Sequence, residues 1–289
     1  MSIDQTSTFA PRLPPFQTTH CDDDVLVLDR RMLDRTVPFL GIDFDPLSRD
    51  ALLARVIDGA NRVDGFRYCV TPNVDQMVRL ASYPQNRTLY QDAWLVVNDS
   101  RILELLAGWS GLKLPACPGS DLTQQIFDTA IQKCEPITII GSDQIVIDAL
   151  KQRYGLIDVR WHQPPMGLST NLDAIAEATQ FCIANPSRFT FFCVGNPQQE
   201  MVAHAVKMTG QATGIGLCVG ASLEFLAGTR RRAPAWMGRL RLEWLFRLIS
   251  EPTILWRRYL VEGPKIFQIW RNWHSHHATQ RAATQCKRS

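Results

Sequence analysis

Short apolar runs that end in small or polar residues recur along the chain, and between them lie stretches whose apolar residues return every three or four positions. The first pattern predicts buried strands; the second predicts helices with one face on a core. Apolar pieces at 25–28 and 37–44 read as strands, and residues 47–57 have helical spacing. Strands are then expected at 66–70, 137–140, 157–161, 189–194 and 214–219, with residues 90–97 reading as a helix end plus a strand. Helices are expected at 74–80, from Ile102, at 122–131, at 145–153, at 172–183 behind a capping Asn171, and after Pro197, which suits a first helical position. This alternation predicts an α/β fold, a Rossmann-like doubly wound and mostly parallel sheet.

Past Gly228 the pattern changes. Five of the eight Trp (Trp236, Trp244, Trp256, Trp270, Trp273) stand among arginines, and Glu251-Pro252 and Gly263-Pro264 cut the segment into short helices. The expected organisation is a loose polar leader at 1–24, an α/β domain at 25–235, and a basic, Trp-rich helical appendage and tail at 236–289. A chain ending near Ala235 is expected to stay folded.

Composition sharpens this picture at one point. The formal charge of +3 over 289 residues hides a segment, 230–289, with 13 Lys and Arg against 3 Asp and Glu, so an anionic partner belongs at the carboxyl end. Arginines interleaved with large aliphatics favour a membrane surface over nucleic acid. The eight cysteines show no metal-ligand spacing and read as reduced core residues. With no secretory leader and no apolar stretch of the ~18 residues that a spanning helix needs, the expected place is the cytoplasm.

In a doubly wound sheet, ligands lie beyond the carboxyl ends of the strands. The residues there are Thr71, Asn73, Asp99, Arg101, Asp121, Gly141-Ser142-Asp143, Gly195-Asn196, Gln198-Gln199-Glu200, and the turn Gly220-Ala221-Ser222. Local capping accounts for Thr71, Asn73 and Gly141-Ser142-Asp143 as well as a ligand does, and Asp99 also reads as a solvated loop carboxylate. No G-x-G-x-x-G follows an early strand, and Walker, G-x-S-x-G and H-E-x-x-H motifs are absent. Gly214-Ile215-Gly216 lies within a strand pattern. Transfer from an activated phosphate ester, without metal, cofactor or covalent nucleophile, fits what remains.

The ordered set Thr71-Pro72-Asn73, Asp99, Leu114-Pro115 with Gly119-Ser120-Asp121, Val194 to Glu200, Val219-Gly220-Ala221-Ser222, Arg232-Ala233-Pro234, Leu242 to Leu248 and Arg257-Arg258-Tyr259 resembles the WecG/TagA/CpsF glycosyltransferases over residues 37–262. The resemblance implies inverting, metal-independent transfer of a sugar from a UDP donor to an undecaprenyl-diphosphate-linked sugar. The sugar would be N-acetylmannosamine, its uronic acid or glucose, and the product a bacterial surface or exopolysaccharide. It makes Asp99 the general base, with Thr71 and Asn73 in the same pocket. Gly195, Asn196, Gln198, Gln199, Glu200, Gly220 and Ser222 would hold the nucleotide part, with Arg101 and Asp121 beside the pocket. Arg232, Arg247, Arg257 and Arg258 would meet the diphosphate from an appendage seated on the inner face of the cytoplasmic membrane. No cofactor or metal is implied, and a homo-oligomer is left open.

Four positions depart from the family's usual pattern: Ser100 for glycine, Ala116 for arginine, Glu224 for aspartate, and Ile254 for arginine. Arg101 is a candidate substitute for the missing cation, and a shifted donor preference is the expected consequence. The alternative of another class is a non-catalytic protein that binds anionic membrane through its basic tail.

Overall fold

The computed structural model describes residues 36–62, 64–230, 237, 243–250 and 252–286, all within the unit Arg35–Ser289. The leader and the strand expected at 25–28 lie outside the described residues. The apolar piece at 37–44 is not one strand. It folds back as an antiparallel hairpin, β1 (Val37–Phe39) and β2 (Ile42–Phe44), around Leu40-Gly41, both at positive φ (52° and 91°). Two left-handed residues match the twist of a two-residue hairpin, and Gly41 reaches that region without Cβ strain.

Helix α1 (Arg49–Ala60) is capped by Ser48, whose hydroxyl accepts the Ala51 N–H. The chain then alternates: β3 (Phe66–Val70), α2 (Val74–Ser82), a short α3 (Thr88–Gln91), β4 (Leu95–Val96), α4 (Arg101–Trp109) and α5 (Gly119–Thr129). After these come β5 (Ile137–Gly141), α6 (Gln144–Tyr154), β6 (Val159–His162), α7 (Leu172–Ala184), β7 (Phe189–Cys193), α8 (Gln198–Thr209), β8 (Gly214–Cys218) and α9 (Ser222–Ala227). The six strands β3 to β8 form one parallel sheet in the order β4-β3-β8-β7-β5-β6, as the doubly wound reading predicts. Helices cover both faces, so the central strands are mostly apolar; Phe189, Phe191 and Phe192 are all fully buried.

This order fixes where a ligand can lie. The chain runs outward from β3 to β4, restarts at β5 and β6 toward the other edge, and fills the middle last with β7 and β8. The carboxyl ends of β3, β8, β7 and β5 are thereby neighbours, although they come from opposite ends of the sequence. Gly216 is part of this packing. A Cβ there would stand 2.5 Å from the Phe66 ring and 2.8 Å from the Phe192 ring, so Gly214-Ile215-Gly216 serves close strand packing.

The carboxyl-terminal segment is helical and is divided at the expected prolines: α10 (Glu243–Ser250), α11 (Pro252–Trp256) running into a π-helical turn at Arg257–Glu262, and α12 (Lys265–Cys286). It is not detached from the sheet. Ile266 is fully buried in the main core, Trp270 Nε1 donates to Ser110 Oγ (2.8 Å), and Trp273 stacks edge-on against Phe39 at 5.0 Å. A chain cut near Ala235 would lose this packing, which argues against the expectation that it stays folded. No helix among the described residues is long and apolar enough to cross a membrane.

Candidate active site

Three segments far apart in sequence enclose a cavity of about 440 Å³: the start of α2 with Asn73, the start of α4 with Asp99 and Arg101, and the π-helical turn and α12, with Arg258. Asp99 follows β4 and is tied down twice. Its N–H donates to the Pro72 carbonyl (3.1 Å), and its Oδ1 accepts the Gly119 N–H at 2.6 Å. Pro118, in the capping position of α5, supplies no side-chain cap, so Asp99 caps that helix from 20 residues upstream. An ionised carboxylate has about four lone-pair sites, of which the Gly119 N–H takes one.

Ser100 caps α4 by accepting the Ile102 and Leu103 N–H groups, a use that the glycine expected there from the resemblance could not supply. Arg101 opens α4, and its guanidinium makes no ion pair or hydrogen bond with the described residues. Arg258 Nε stands 3.4 Å from Asp75 Oδ2, and the same carboxylate oxygen holds Arg79 Nε at 3.1 Å. Asn73 does cap its helix: Oδ1 accepts the Gln76 N–H (3.3 Å) while Gln76 Oε1 accepts the Asn73 N–H (2.7 Å). It lines the cavity as well, so capping and ligand contact coexist there. Thr71 is buried and donates to the Cys218 carbonyl at 3.1 Å, linking the ends of β3 and β8; it does not line the cavity in which it was expected.

The corner after β7 is a polar cluster beside the cavity. Gly195 sits at φ 78°, the Asn196-Pro197 peptide bond is cis, and α8 begins at Gln198 with Pro197 one position before it, in the cap. Glu200 is fully buried. It accepts Gln76 Nε2 (3.0 Å), Gln199 Nε2 (2.8 Å) and Asn196 Nδ2 (3.0 Å), and Asn196 Nδ2 also donates to the Tyr90 hydroxyl (2.9 Å). Gln199 Oε1 accepts the Gly220 N–H at 2.9 Å, joining the turn after β8 to the same cluster. Burial outweighs these donors and pushes the Glu200 carboxyl up to about 7. Of Gln198-Gln199-Glu200, only Gln198 has a side chain without a hydrogen bond to the described residues.

The other expected site residues are scattered. Ser222 is buried and donates to the Val219 carbonyl (2.6 Å). Asp121 turns toward α1 and pairs with Arg49 at 3.1 Å, away from the cavity. Arg257 is exposed, 4.0 Å from Glu262, while Arg232 and the Arg247 side chain lie outside the described residues. Asp75, Gln76 and Tyr90 were missed by sequence reasoning. Gln76 left a signal, since it stands three residues after Asn73, the spacing of a reciprocal cap. For Asp75 and Tyr90 no sequence signal exists. At the end of β5, Asp143 caps α6 through its Oδ1 (2.9 Å from Val146 N), and Ser142 sits at φ 68° with its hydroxyl sealed and unpartnered among the described residues.

A model of the glycosyl transferase WecG/TagA/CpsF family matches residues 37–279. The chain belongs to this family. Membership makes it a glycosyltransferase. Among its relatives are three proteins named N-acetylglucosaminyldiphosphoundecaprenol N-acetyl-beta-D-mannosaminyltransferase. That of Bacillus subtilis (strain 168) is 30% identical over 49% of this chain and 54% of the relative, so the match spans about half of that protein. That of Bacillus spizizenii (strain ATCC 23059 / NRRL B-14472 / W23) is 26% identical over 67% of this chain and 74% of the relative. That of Staphylococcus aureus (strain MW2) is 23% identical over 81% of this chain and 90% of the relative.

Within the transferase, Ala116 and Glu224, two of the positions expected to depart from the family pattern, are internally accommodated, while the Ile254 side chain lies outside the described residues. Ala116 is buried, with its N–H on Glu104 Oε1 (3.3 Å), and Glu224 pairs with Arg230 at 3.0 Å. Among the described residues no group of three His, Cys, Asp or Glu is placed to hold a metal ion.

Proposed function

We propose that this glycosyltransferase moves a sugar from a UDP donor to an undecaprenyl-diphosphate-linked sugar, with inversion and without a metal ion. The relatives' names supply the acceptor class and N-acetylmannosamine as the first donor sugar to try. The observation that carries the reading is the shared cavity of Asp99, Arg101 and Arg258. An inverting displacement needs one base on the acceptor hydroxyl and positive charge for a departing diphosphate. Asp99 is the base: the α5 N–H at 2.6 Å fixes its carboxylate, as a general base must be fixed. Arg101 and Arg258, with the helix start at Gln198, supply the charge that a metal supplies elsewhere.

The same end of the molecule faces the membrane. Ile249, Trp256, Leu260, Val261 and Phe267 are exposed around the π-helical turn; this turn borders the cavity through Arg258, with Arg257 exposed next to it in the chain. Exposed apolar groups among arginines suit the interface of an anionic bilayer. A lipid-linked acceptor then enters the cavity from the surface on which the protein sits, with Arg258 and Arg257 near its diphosphate. The test is UDP release from UDP-N-acetylmannosamine with a lipid-linked N-acetylglucosamine acceptor, with and without vesicles. Release that depends on the acceptor supports the reading. Vesicle binding without release from any of UDP-N-acetylmannosamine, its uronic acid form or UDP-glucose would overturn it in favour of a non-catalytic membrane protein.

A further inference from the structure

Glu200 is surrounded by amides, and their orientation is not arbitrary. Gln76 Oε1 accepts the Asn73 N–H and Gln199 Oε1 accepts the Gly220 N–H. A backbone N–H only donates, so both glutamines must point oxygen-first at the backbone and nitrogen-first at Glu200 Oε1, which accepts both. The third amide is different. Asn196 Nδ2 bonds Glu200 Oε2 and the Tyr90 hydroxyl, and a phenol reverses from acceptor to donor by rotating its O–H. Asn196 Oδ1 accepts no hydrogen bond from the described residues and is not sealed from solvent at the half-buried corner after Gly195.

A proton on Glu200 therefore has one place to go. On Oε1 it would confront two locked NH2 groups. On Oε2 it is accommodated by turning Asn196 over: Oδ1 then accepts the Glu200 O–H and the Tyr90 O–H, and Nδ2 moves to the open corner. We propose that Glu200, Asn196 and Tyr90 form a proton-linked selector, which shows a carbonyl oxygen at the corner after β7 while Glu200 is ionised and an NH2 group once Glu200 takes a proton. An anionic phosphate group is accepted by the second state and repelled by the first. The ligand assignment rests on the reading of this corner as part of the donor-diphosphate site; the amide inversion itself does not.

The surroundings allow Glu200 to titrate in the working range. The titratable groups around it are Tyr68 from β3, Tyr90 and Asp92 at α3, Asp75 from α2, Cys218 from β8, and His204 one turn further along α8. The two phenols and the thiol are pushed up by burial and stay neutral there. No cation among the described residues pairs with the Glu200 carboxylate. Burial is thus opposed only by the three side-chain amides and the backbone N–H of Glu200 itself, and the carboxyl is pushed up to about 7. Binding of a diphosphate draws up to one proton from solvent onto Oε2, with no other covalent bond made or broken.

Glu200→Gln is a built-in mimic of the protonated state, since its oxygen serves both glutamines and its NH2 group serves an inverted Asn196. The experiment is calorimetry of UDP binding to the full chain at pH 7.5, in buffers of different ionisation enthalpy. Wild type should take up a fraction of a proton, up to about one per site, and UDP affinity should weaken by up to about tenfold per pH unit above the Glu200 range. Glu200→Gln should show no uptake and a flat profile. Equal uptake in Glu200→Gln would overturn the proposal. So would full uptake in Asn196→Ala, because Glu200 would then be answering the ligand charge without Asn196. The Asn196 side-chain NH2 resonances of the unliganded protein decide the inversion independently: they should move with a midpoint near that of Glu200 in wild type and stay fixed in Glu200→Gln. If they move so while UDP fails to bind, the selector stands and the donor-site reading falls. If they do not move, the selector is wrong, whatever UDP does.

Discussion

Replacing Asp99 by Asn and by Ala separates its two jobs. Asn keeps an oxygen for the Gly119 N–H, now 2.6 Å from Asp99 Oδ1, but removes the base; Ala removes both. Losing a positioned general base should lower kcat by ~10²–10⁴ in either variant, equivalent to about 3–5 kcal/mol in the barrier. Stability should split them. The Asp99 bond takes the place of a side-chain cap on the 11-residue helix α5, and losing such a cap costs about 1 kcal/mol. In a domain of this size that is a fall of about 2–4 °C in Tm for Asp99→Ala, and close to none for Asp99→Asn. The assays are single-turnover transfer, UDP binding and thermal unfolding of the three proteins side by side. UDP binding should survive in both variants. Asp99→Asn with near wild-type turnover would refute the base assignment, and equal thermal losses would refute the capping argument.

Transfer should persist in excess EDTA; abolition with rescue by Mg²⁺ or Mn²⁺ would sink the metal-independent reading. Arg101→Ala should cost more transfer than Arg258→Ala, because Asp75 already pairs with Arg258 at 3.4 Å while Arg101 has no partner among the described residues; the reverse order would remove Arg101 as the substitute for the arginine missing at position 116. Trp256→Ser with Phe267→Ser should weaken binding to anionic vesicles while leaving Tm nearly unchanged, since both side chains are about half exposed, and unaltered binding would move the docking surface elsewhere. The Glu200 carboxyl is raised from 4.5 to about 7, so the folded state holds the extra proton between those values. Its contribution to stability is complete below about 4.5 and is lost as pH rises through about 7, by at most on the order of 3 kcal/mol, and the loss should be absent in Glu200→Gln unfolding curves.

Apolar runs made most of the sheet legible. The strand at 66–70 was read residue for residue, that at 137–140 falls one residue short, and Asn171 caps its helix through Oδ1 at 3.0 Å from Ala174 N. These features are local: a buried parallel strand must be apolar on both faces, and a cap needs a polar side chain one residue before its helix. The hairpin was missed because its turn contains Leu40 in a left-handed conformation, where apolar character hides the reversal. In the site, Asn73, Asp99, Arg101 and Arg258 do share one cavity, found from strand ends and motif order. Asp121 looked equivalent to them at a helix start, yet its partner Arg49 lies on another helix, which no local pattern reveals. Tyr90 and Gln76 escaped notice for the same reason: their partners stand 106 and 124 residues away.

The burial of Glu200 sets stability and ligand binding against its ionised form together. In water the carboxyl would be ionised well below neutrality; inside the protein the folded state prefers the proton, and the proposed anion-accepting state of Asn196 requires it. An apolar residue in its place would avoid the cost of burying a carboxylate. It would also leave Gln76 and Gln199 without an acceptor for the NH2 groups they turn toward Glu200, and Asn196 with the Tyr90 hydroxyl alone, and each unsatisfied buried donor costs about 1–3 kcal/mol. Those amides in turn hold the backbone N–H groups of Asn73 and Gly220, at the ends of two neighbouring strands. The carboxyl accepts from all three amides, and a titration range near neutrality follows from placing it where water cannot reach. Proton linkage in this site is thus a consequence of how the strand ends are joined, and it would follow any substitution that changes the number of amides facing Glu200.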